Sequence, residues 1–318
     1  MRLAHLSDLH LGGANSPRQL RRVLNLIDRV IDDGVDHLLL GGDLVDAGDL
    51  DDVLPLVRHL KRRRFFSADR LSVVPGNHDV WPFSERDLGR RGLSALLRDG
   101  KKLLTLGDWP AQETYERFVQ IFRPTFDGVD RFYEDDVFPC VKRLDGIAVA
   151  MLDTTSDAGY LRSAQGRFDT REGRFVTDEV ATIREPKILL MHHVPWRIGR
   201  GNLEHVLESL PWPLRKIVGT LGVEGIADLD FVNLAAVKRF IQHARFDAVL
   251  YGHVHLDGEN ARSRTFTRRL GRVPTYGMGR SGGVHQRPSR AIHAWHQVEV
   301  SRRRVRVKTQ YVSARELD

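Results

Sequence analysis

The chain has a single cysteine, Cys140, among 318 residues. One thiol excludes an intramolecular disulfide and any cysteine-rich metal site, so a bound metal would have to rest on His, Asp, Glu or Asn. Long apolar runs are also missing: none reaches the roughly 18 residues that a membrane-spanning helix requires. The opening "MRLAHLSDLH" has no basic region followed by a long apolar one, as a secretion signal would. A soluble, cytoplasmic protein is expected. Aromatic residues are only 8% of the chain, and none is interleaved with the basic stretches "KRRR" (61–64) and "SRRRVRVK" (301–308). Those stretches read as solvated faces rather than base-stacking surfaces. Internal repeats and low-complexity tracts are absent.

What is present is ample core material, with 41% apolar and 29% charged residues. The net charge of +7 favours anionic partners through the long-range field without choosing between a nucleic acid and a small phosphate. Short apolar runs at Leu3 to Leu6, His37 to Leu40, Leu71 to Val74, Ile147 to Leu152, Ile188 to Met191 and Ala248 to Tyr251 have the length of buried strands. Apolar residues at three-to-four spacing predict helices over Pro17 to Asp33, Leu50 to Arg63, Leu203 to Val218 and Asn233 to Ala244. The alternation predicts an α/β fold in one enlarged domain over 1–318. A partly helical insertion is expected over about 81–137, close to the functional pocket, and antiparallel strands over about 272–313.

The chemistry lies where the strands end. Following each apolar run to its last residue gives "SDLH" (7–10), "GGDLVD" (41–46), "PGNHD" (75–79), "MHHVP" (191–195) and "YGHVH" (251–255). In an open α/β sheet such ends converge on one crevice, so Asp, Asn and His residues far apart in sequence can meet. Asp8 and His10, like His253 and His255, are two apart, a spacing that in extended backbone projects both side chains to one side. Oxygens and imidazoles without thiolates suit Mn²⁺, Fe, Zn²⁺ or Co²⁺. So many ligands fit two ions sharing a carboxylate better than one, and Asp43 is the best candidate bridge. Two such ions would leave a net positive centre that attracts phosphate.

Together these five blocks resemble the calcineurin-like metallophosphoesterase superfamily, whose pattern is D-x-H, G-D-x-x-D, G-N-H-D/E, a lone or paired H, and G-H-x-H. All five occur in order, over roughly residues 1–256. The resemblance implies a two-sheet α/β/β/α sandwich with the metal site at the strand carboxyl ends. It also implies two divalent metal ions, one on Asp8, His10, Asp43 and His255 and the other on Asp43, Asn77, His192 and His253. The implied reaction is attack of a metal-bridging hydroxide on a phosphoester. His78 corresponds to the residue that stabilises the transition state or protonates the leaving oxygen, with Asp46 placed to orient it by accepting a hydrogen bond.

Other residues have weaker claims. His193 is either a substrate contact or a structural histidine; Trp81, Phe83, Arg280 and His285 could reach the pocket but fit packing or loop roles; "HAWH" (293–296) reads as structural. The protein Ser/Thr phosphatases of the superfamily carry G-D-x-V-D-R-G and G-N-H-E, whereas this chain has Ala47 in the arginine position and "GNHD". "MHHVP" is more similar to the cyclic-nucleotide and other small phosphodiester hydrolases. A phosphodiesterase acting on a small substrate is therefore expected. The alternatives are an Mre11-like DNA nuclease, which shares "SDLHLG" and "GNHD", and a non-catalytic metal-binding scaffold for a protein partner.

Overall fold

The computed structural model describes residues 1–12, 16–46, 49–80, 111–155, 165–168, 177–196, 231–254, 267–279, 281–283, 291–301 and 304–318. Strands β1 (Arg2–Leu6), β2 (His37–Leu40) and β3 (Leu71–Val73) lie parallel, in the order β1-β2-β3. Between them run α1 (Ser16–Asp32), a 3-10 turn (Leu50–Val53) and α2 (Leu54–Arg62). Val23, Leu26, Ile27 and Val30 form the buried stripe of α1, at the spacing the sequence predicts. After β3 come the short α3 (Asn77–Val80) and α4 (Ala111–Phe122), which packs against α3. Residues 81–110 of the expected insertion, including Trp81 and Phe83, lie outside the described residues.

A second sheet holds β4 (Asp130–Arg131), β5 (Cys140–Leu144), β6 (Ile147–Met151), β7 (Lys187–Leu190), β8 (Ala248–Tyr251), β9 (Thr267–Leu270) and β10 (Val273–Gly277). Its order is β4-β5-β6-β7-β8-β10-β9, and α5 (Leu234–Ala244) precedes β8. The long strands β11 (Ile292–Ser301) and β12 (Arg304–Ser313) extend the first sheet to the order β12-β11-β1-β2-β3, and α6 (Ala314–Leu317) follows. Of the expected antiparallel C-terminal strands, β11 pairs antiparallel with β1 and β12, and β10 pairs antiparallel with β9 while joining the second sheet parallel to β8. The predicted helix over Leu203 to Val218 lies outside the described residues.

Strand periodicity sorts the second sheet into two faces. Ile147, Val149, Met151, Ile188, Leu190, Ala248 and Leu250 join the core shared with the first sheet. Their alternates Ala148, Ala150, Leu189, Met191, Val249 and Tyr251 pack in a separate core with Val237, Phe240 and Ile241 of α5. With α1 and α2 on the first sheet, this is the α/β/β/α sandwich the sequence predicts. Among the described residues, no helix is long and apolar enough to cross a membrane.

Polar side chains also tie strands together, within a sheet and between the two. On β11, the His296 ring donates from Nε2 to Gly277 O of β10 (3.1 Å) and accepts at Nδ1 from Thr309 Oγ1 (3.2 Å). His37 of β2 donates from Nδ1 to Asp69 O (2.8 Å) and accepts at Nε2 from Ser72 Oγ (2.9 Å). Each ring is satisfied with one proton, and burial drives the pKa of His296 down to about 4 and that of His37 to about 3. Unfolded histidine takes up a proton near pH 6.5, so stability is full above that pH and is lost as pH falls toward these folded values. Each residue contributes about 1.4 kcal/mol per pH unit to the loss. We expect urea unfolding of metal-free protein between pH 6 and 5 to show a stability slope that His37→Gln lowers by about one such increment. Parallel slopes in the two proteins would rule out a neutral buried His37.

Candidate metal centre

The ends of five strands converge as the sequence predicts, but the backbone turns differently there. β1 stops at Leu6, and Asp8 and His10 have φ of 58° and 46°. The expected extended projection of this pair is therefore wrong: each side chain is turned inward by a left-handed residue. Asp43 (φ 52°) and His253 (φ 74°) share this conformation, so four of the six non-glycine positive-φ residues described are candidate site residues. Such backbone is costly for residues with a Cβ and clusters at functional sites. Its hydrogen bonds continue the parallel pairing past the strands, from Asp8 N to Gly42 O (3.0 Å), His10 N to Asp43 O (3.0 Å) and Leu11 N to Leu44 O (2.9 Å). Gly252 allows a close approach: a Cβ there would lie 2.0 Å from Ser7 Oγ and 2.3 Å from Asp8 Oδ2.

The assembled side chains form three groups of potential ligand atoms, two of which share Asp43, while the third, His10, Asp46 and His78, lies beside them. Asp8, His10 and Asp43 offer ligand atoms within 4.8 Å of one another, and so do Asp43, His192 and His253. Asn77 joins the second group, its Oδ1 lying 3.2 Å from His192 Nε2 and 3.0 Å from His253 Nδ1. All six residues are buried, none more than 8% exposed. His255 lies outside the described residues.

The donor set asks for positive charge. His192 Nδ1 donates to Gly41 O (2.8 Å), so a neutral ring presents the Nε2 lone pair to Asp43 Oδ2 at 3.1 Å and Asn77 Oδ1 at 3.2 Å. Both of those oxygens are acceptors only. Converging lone pairs in a dry site repel unless a cation or a proton lies between them. Burial works against the His192 imidazolium, yet the Asp43 carboxylate at its side outweighs it and pushes the pKa up to about 9. Burial likewise works to raise Asp43, and the imidazoles of His192, His78 and His10 hold it well below the usual carboxylate range. The centre thus favours a positive charge, and its oxygen and imidazole donors suit a divalent transition ion.

Around this centre the second rank of residues partly departs from expectation. His78 donates from Nδ1 to Asp46, but to its backbone carbonyl (2.7 Å), not its carboxylate. The Asp46 carboxylate lies beside His10, with Oδ1 3.5 Å from Nδ1, and groups with the His10 and His78 rings. His78 is half-buried, its ring edge-on to His10 at 4.8 Å between centroids, and its backbone N–H donates to Asp43 Oδ1 (2.9 Å). His193 is fully buried beside His253, with ring centroids 4.5 Å apart, and its Nδ1 lies 2.9 Å from Thr154 Oγ1. It does not line an open surface. Arg280 and His285 lie outside the described residues. His293 and His296 of "HAWH" are buried and bonded to backbone carbonyls, as structural histidines would be.

Sequence reasoning gave Asp79 no role. Its carboxylate accepts from Leu44 N (2.8 Å), Val45 N (3.1 Å) and Gly76 N (2.9 Å), lacing the loop after β2 to the loop after β3. Burial and the nearby Asp43 charge push this carboxyl up to about 7, against the pull of those N–H groups. The signal was the acidic residue closing "GNHD".

Comparison with known proteins follows the same lines. A family model described as calcineurin-like phosphoesterase matches residues 1–257. A comparison with curated proteins returned no match. Among solved structures, a dimetal phosphatase from Danio rerio is similar with a TM-score of 0.53 at 12% identity, covering 99% of each chain. The purple acid phosphatase PPD1 from yellow lupin is similar with a TM-score of 0.50 at 14% identity, over 100% of this chain and 52% of that one. This chain therefore spans about half of the lupin enzyme. At such identities the structures speak for the fold, while the match over residues 1–257 covers most of the sequence and, with the paired Asp and His groups, establishes that the chain belongs to the calcineurin-like phosphoesterase family of dimetal hydrolases.

Proposed function

We propose that the protein hydrolyses phosphodiester bonds of a small substrate, such as a cyclic nucleotide. The observation that carries this reading is a recessed centre in which two groups of ligand atoms share one carboxylate, Asp43. Asp8, His10, Asp43 and His255 would hold one ion, and Asp43, Asn77, His192 and His253 the other. When bound, the ions polarise a phosphoryl oxygen and acidify the water that attacks phosphorus.

The chain's own groups orient and protonate. Gly41 O fixes the His192 tautomer so that Nε2 faces the centre. Asp8 accepts the backbone N–H of His253 at 3.0 and 3.1 Å, which holds the left-handed turn after β8. With Nδ1–H committed to Asp46 O, His78 can donate to substrate only from a protonated Nε2. That proton goes to the leaving oxygen as the P–O bond breaks.

A small substrate agrees with the burial of the six described ligands, each at most 8% exposed. One observation favours the nuclease reading instead: Arg304, Arg306 and Lys308 alternate along the edge strand β12, where a polyanion could lie. The test is hydrolysis of bis(p-nitrophenyl) phosphate beside p-nitrophenyl phosphate by metal-stripped protein with Mn²⁺ restored, then of cyclic nucleotides and single-stranded DNA. Mn²⁺-dependent cleavage of the diester and of cyclic nucleotides, with DNA spared, is expected. DNA cleavage would promote the nuclease, and silence on every substrate with metal bound would favour the scaffold.

A further inference from the structure

The segment Ser7–Leu11 carries two left-handed residues, and such backbone persists only where its surroundings over-determine it. The N–H groups of Asp8, His10 and Leu11 are held by the loop after β2, and Ser7 N donates to Ser281 Oγ (3.1 Å). The carbonyls of Ser7 to His10 are held from two other places, while Leu11 O accepts from Asp46 N (2.9 Å). Ser7 O accepts from Ser281 N (3.2 Å) and Asp8 O from Gly282 N (3.1 Å). Leu9 O and His10 O both accept from one side-chain amide, Gln19 Nε2 on α1, at 2.6 and 2.7 Å. Ser281 is itself anchored to β11: its Oγ donates to Ala294 O (2.8 Å), and its carbonyl accepts from His293 Nδ1 (2.8 Å). The fit is close, since a Cβ on Gly282 would lie 2.3 Å from Leu9 O and 2.5 Å from Asp8 O.

We propose that Gln19 and Ser281 are positioning residues of the metal centre, Gln19 holding the carbonyls of Leu9 and His10 and the Ser281 hydroxyl accepting the Ser7 N–H, so that Asp8 and His10 keep the left-handed backbone that turns both toward Asp43. The proposal rests on the dimetal reading of that centre. Neither residue touches the cluster of ligand atoms; both act through the backbone that carries two of them. Because Asn77, His192 and His253 follow other strands, and only His253 is reached through the Asp8 carboxylate that accepts its N–H, the larger effect falls on the Asp8–His10 half.

Gln19→Met keeps the length of the side chain and removes its donor, and Ser281→Ala removes the hydroxyl. Metal-stripped wild type and both variants would be titrated with Mn²⁺ by calorimetry, with electron paramagnetic resonance reporting the coupled ion pair. Wild type is expected to bind two ions. Each variant is expected to bind one ion as wild type does and the other at least tenfold more weakly, with the coupled signal lost at a Mn²⁺ level that saturates wild type. Wild-type affinities for both ions in both variants would overturn the proposal. So would equal weakening of both ions, the mark of a general loss of structure. Failure of wild type itself to bind two ions would instead defeat the dimetal reading beneath it.

Discussion

Asparagine in place of Asp43 is expected to empty both halves of the metal centre at once. The substitution keeps the shape of the side chain and an oxygen able to accept the His78 N–H, now bonded at 2.9 Å, so the loop after β2 retains its local support. What disappears is the charge that both groups of ligand atoms share. An amide holds two cations together far less well than a carboxylate, and without the ions no Lewis acid remains to activate water. Loss of hydrolysis of about 10³-fold or more, equivalent to about 4 kcal/mol of transition-state stabilisation, should accompany loss of metal. Metal content measured after gel filtration beside the rate of diester hydrolysis checks this. Two ions retained by Asp43→Asn would show that Asp43 is not the bridge.

His78→Ala and Asp46→Ala should part company. His78 contributes a ring beside the centre and no ligand atom to the two groups that share Asp43, so alanine there should leave the ions bound while turnover falls by about 10²- to 10⁴-fold. The Asp46 side chain does not hold His78 by the bond seen here, because the carbonyl does, and a carbonyl survives substitution. Its carboxylate lies beside His10 Nδ1, so Asp46→Ala should weaken metal binding by about 10- to 100-fold and slow turnover mainly through lost metal. Excess Mn²⁺ should then restore Asp46→Ala and not His78→Ala. If Mn²⁺ rescued neither while Asp46→Ala bound metal normally, the carboxylate would have to act on His78 after all.

Convergence at the centre was legible because the runs ending at Leu6, Leu40, Val73, Leu190 and Tyr251 are each followed within a few residues by Asp, Asn or His. The manner of convergence was not. Period-two reasoning assumes extended backbone, and nothing in the residue types of "SDLH" announces left-handed φ at Asp8 and His10. Nor can spacing distinguish a carboxylate from the carbonyl of the same residue: Asp46 is the acceptor from His78, as expected, but through its backbone oxygen. Strand β5 escaped notice because "CVKRL" carries Lys142 and Arg143, although "LDGI" beyond it holds the Asp-Gly signal of a hairpin. Lys142 is nevertheless buried, its amine satisfied by Leu71 O (2.5 Å) and Thr125 O (2.6 Å), a remedy visible only in three dimensions. The partners of Ser7–Leu11 were hidden for a similar reason, since Ser281 lies 274 residues from Ser7.

The centre draws Asp8, Asp43 and Asn77 from the segments that follow strands of one sheet, and His192 and His253 from those that follow strands of the other. Any ion bound across that seam is therefore a rivet between two halves of the molecule as well as a cofactor. A cation present at a hundred times its dissociation constant adds about 2.7 kcal/mol to the folded state, and here that increment falls on the mutual docking of the sheets. Scarcity of metal would then first loosen the seam, so that the supply of the ion governs how long the polypeptide survives as well as how fast it works.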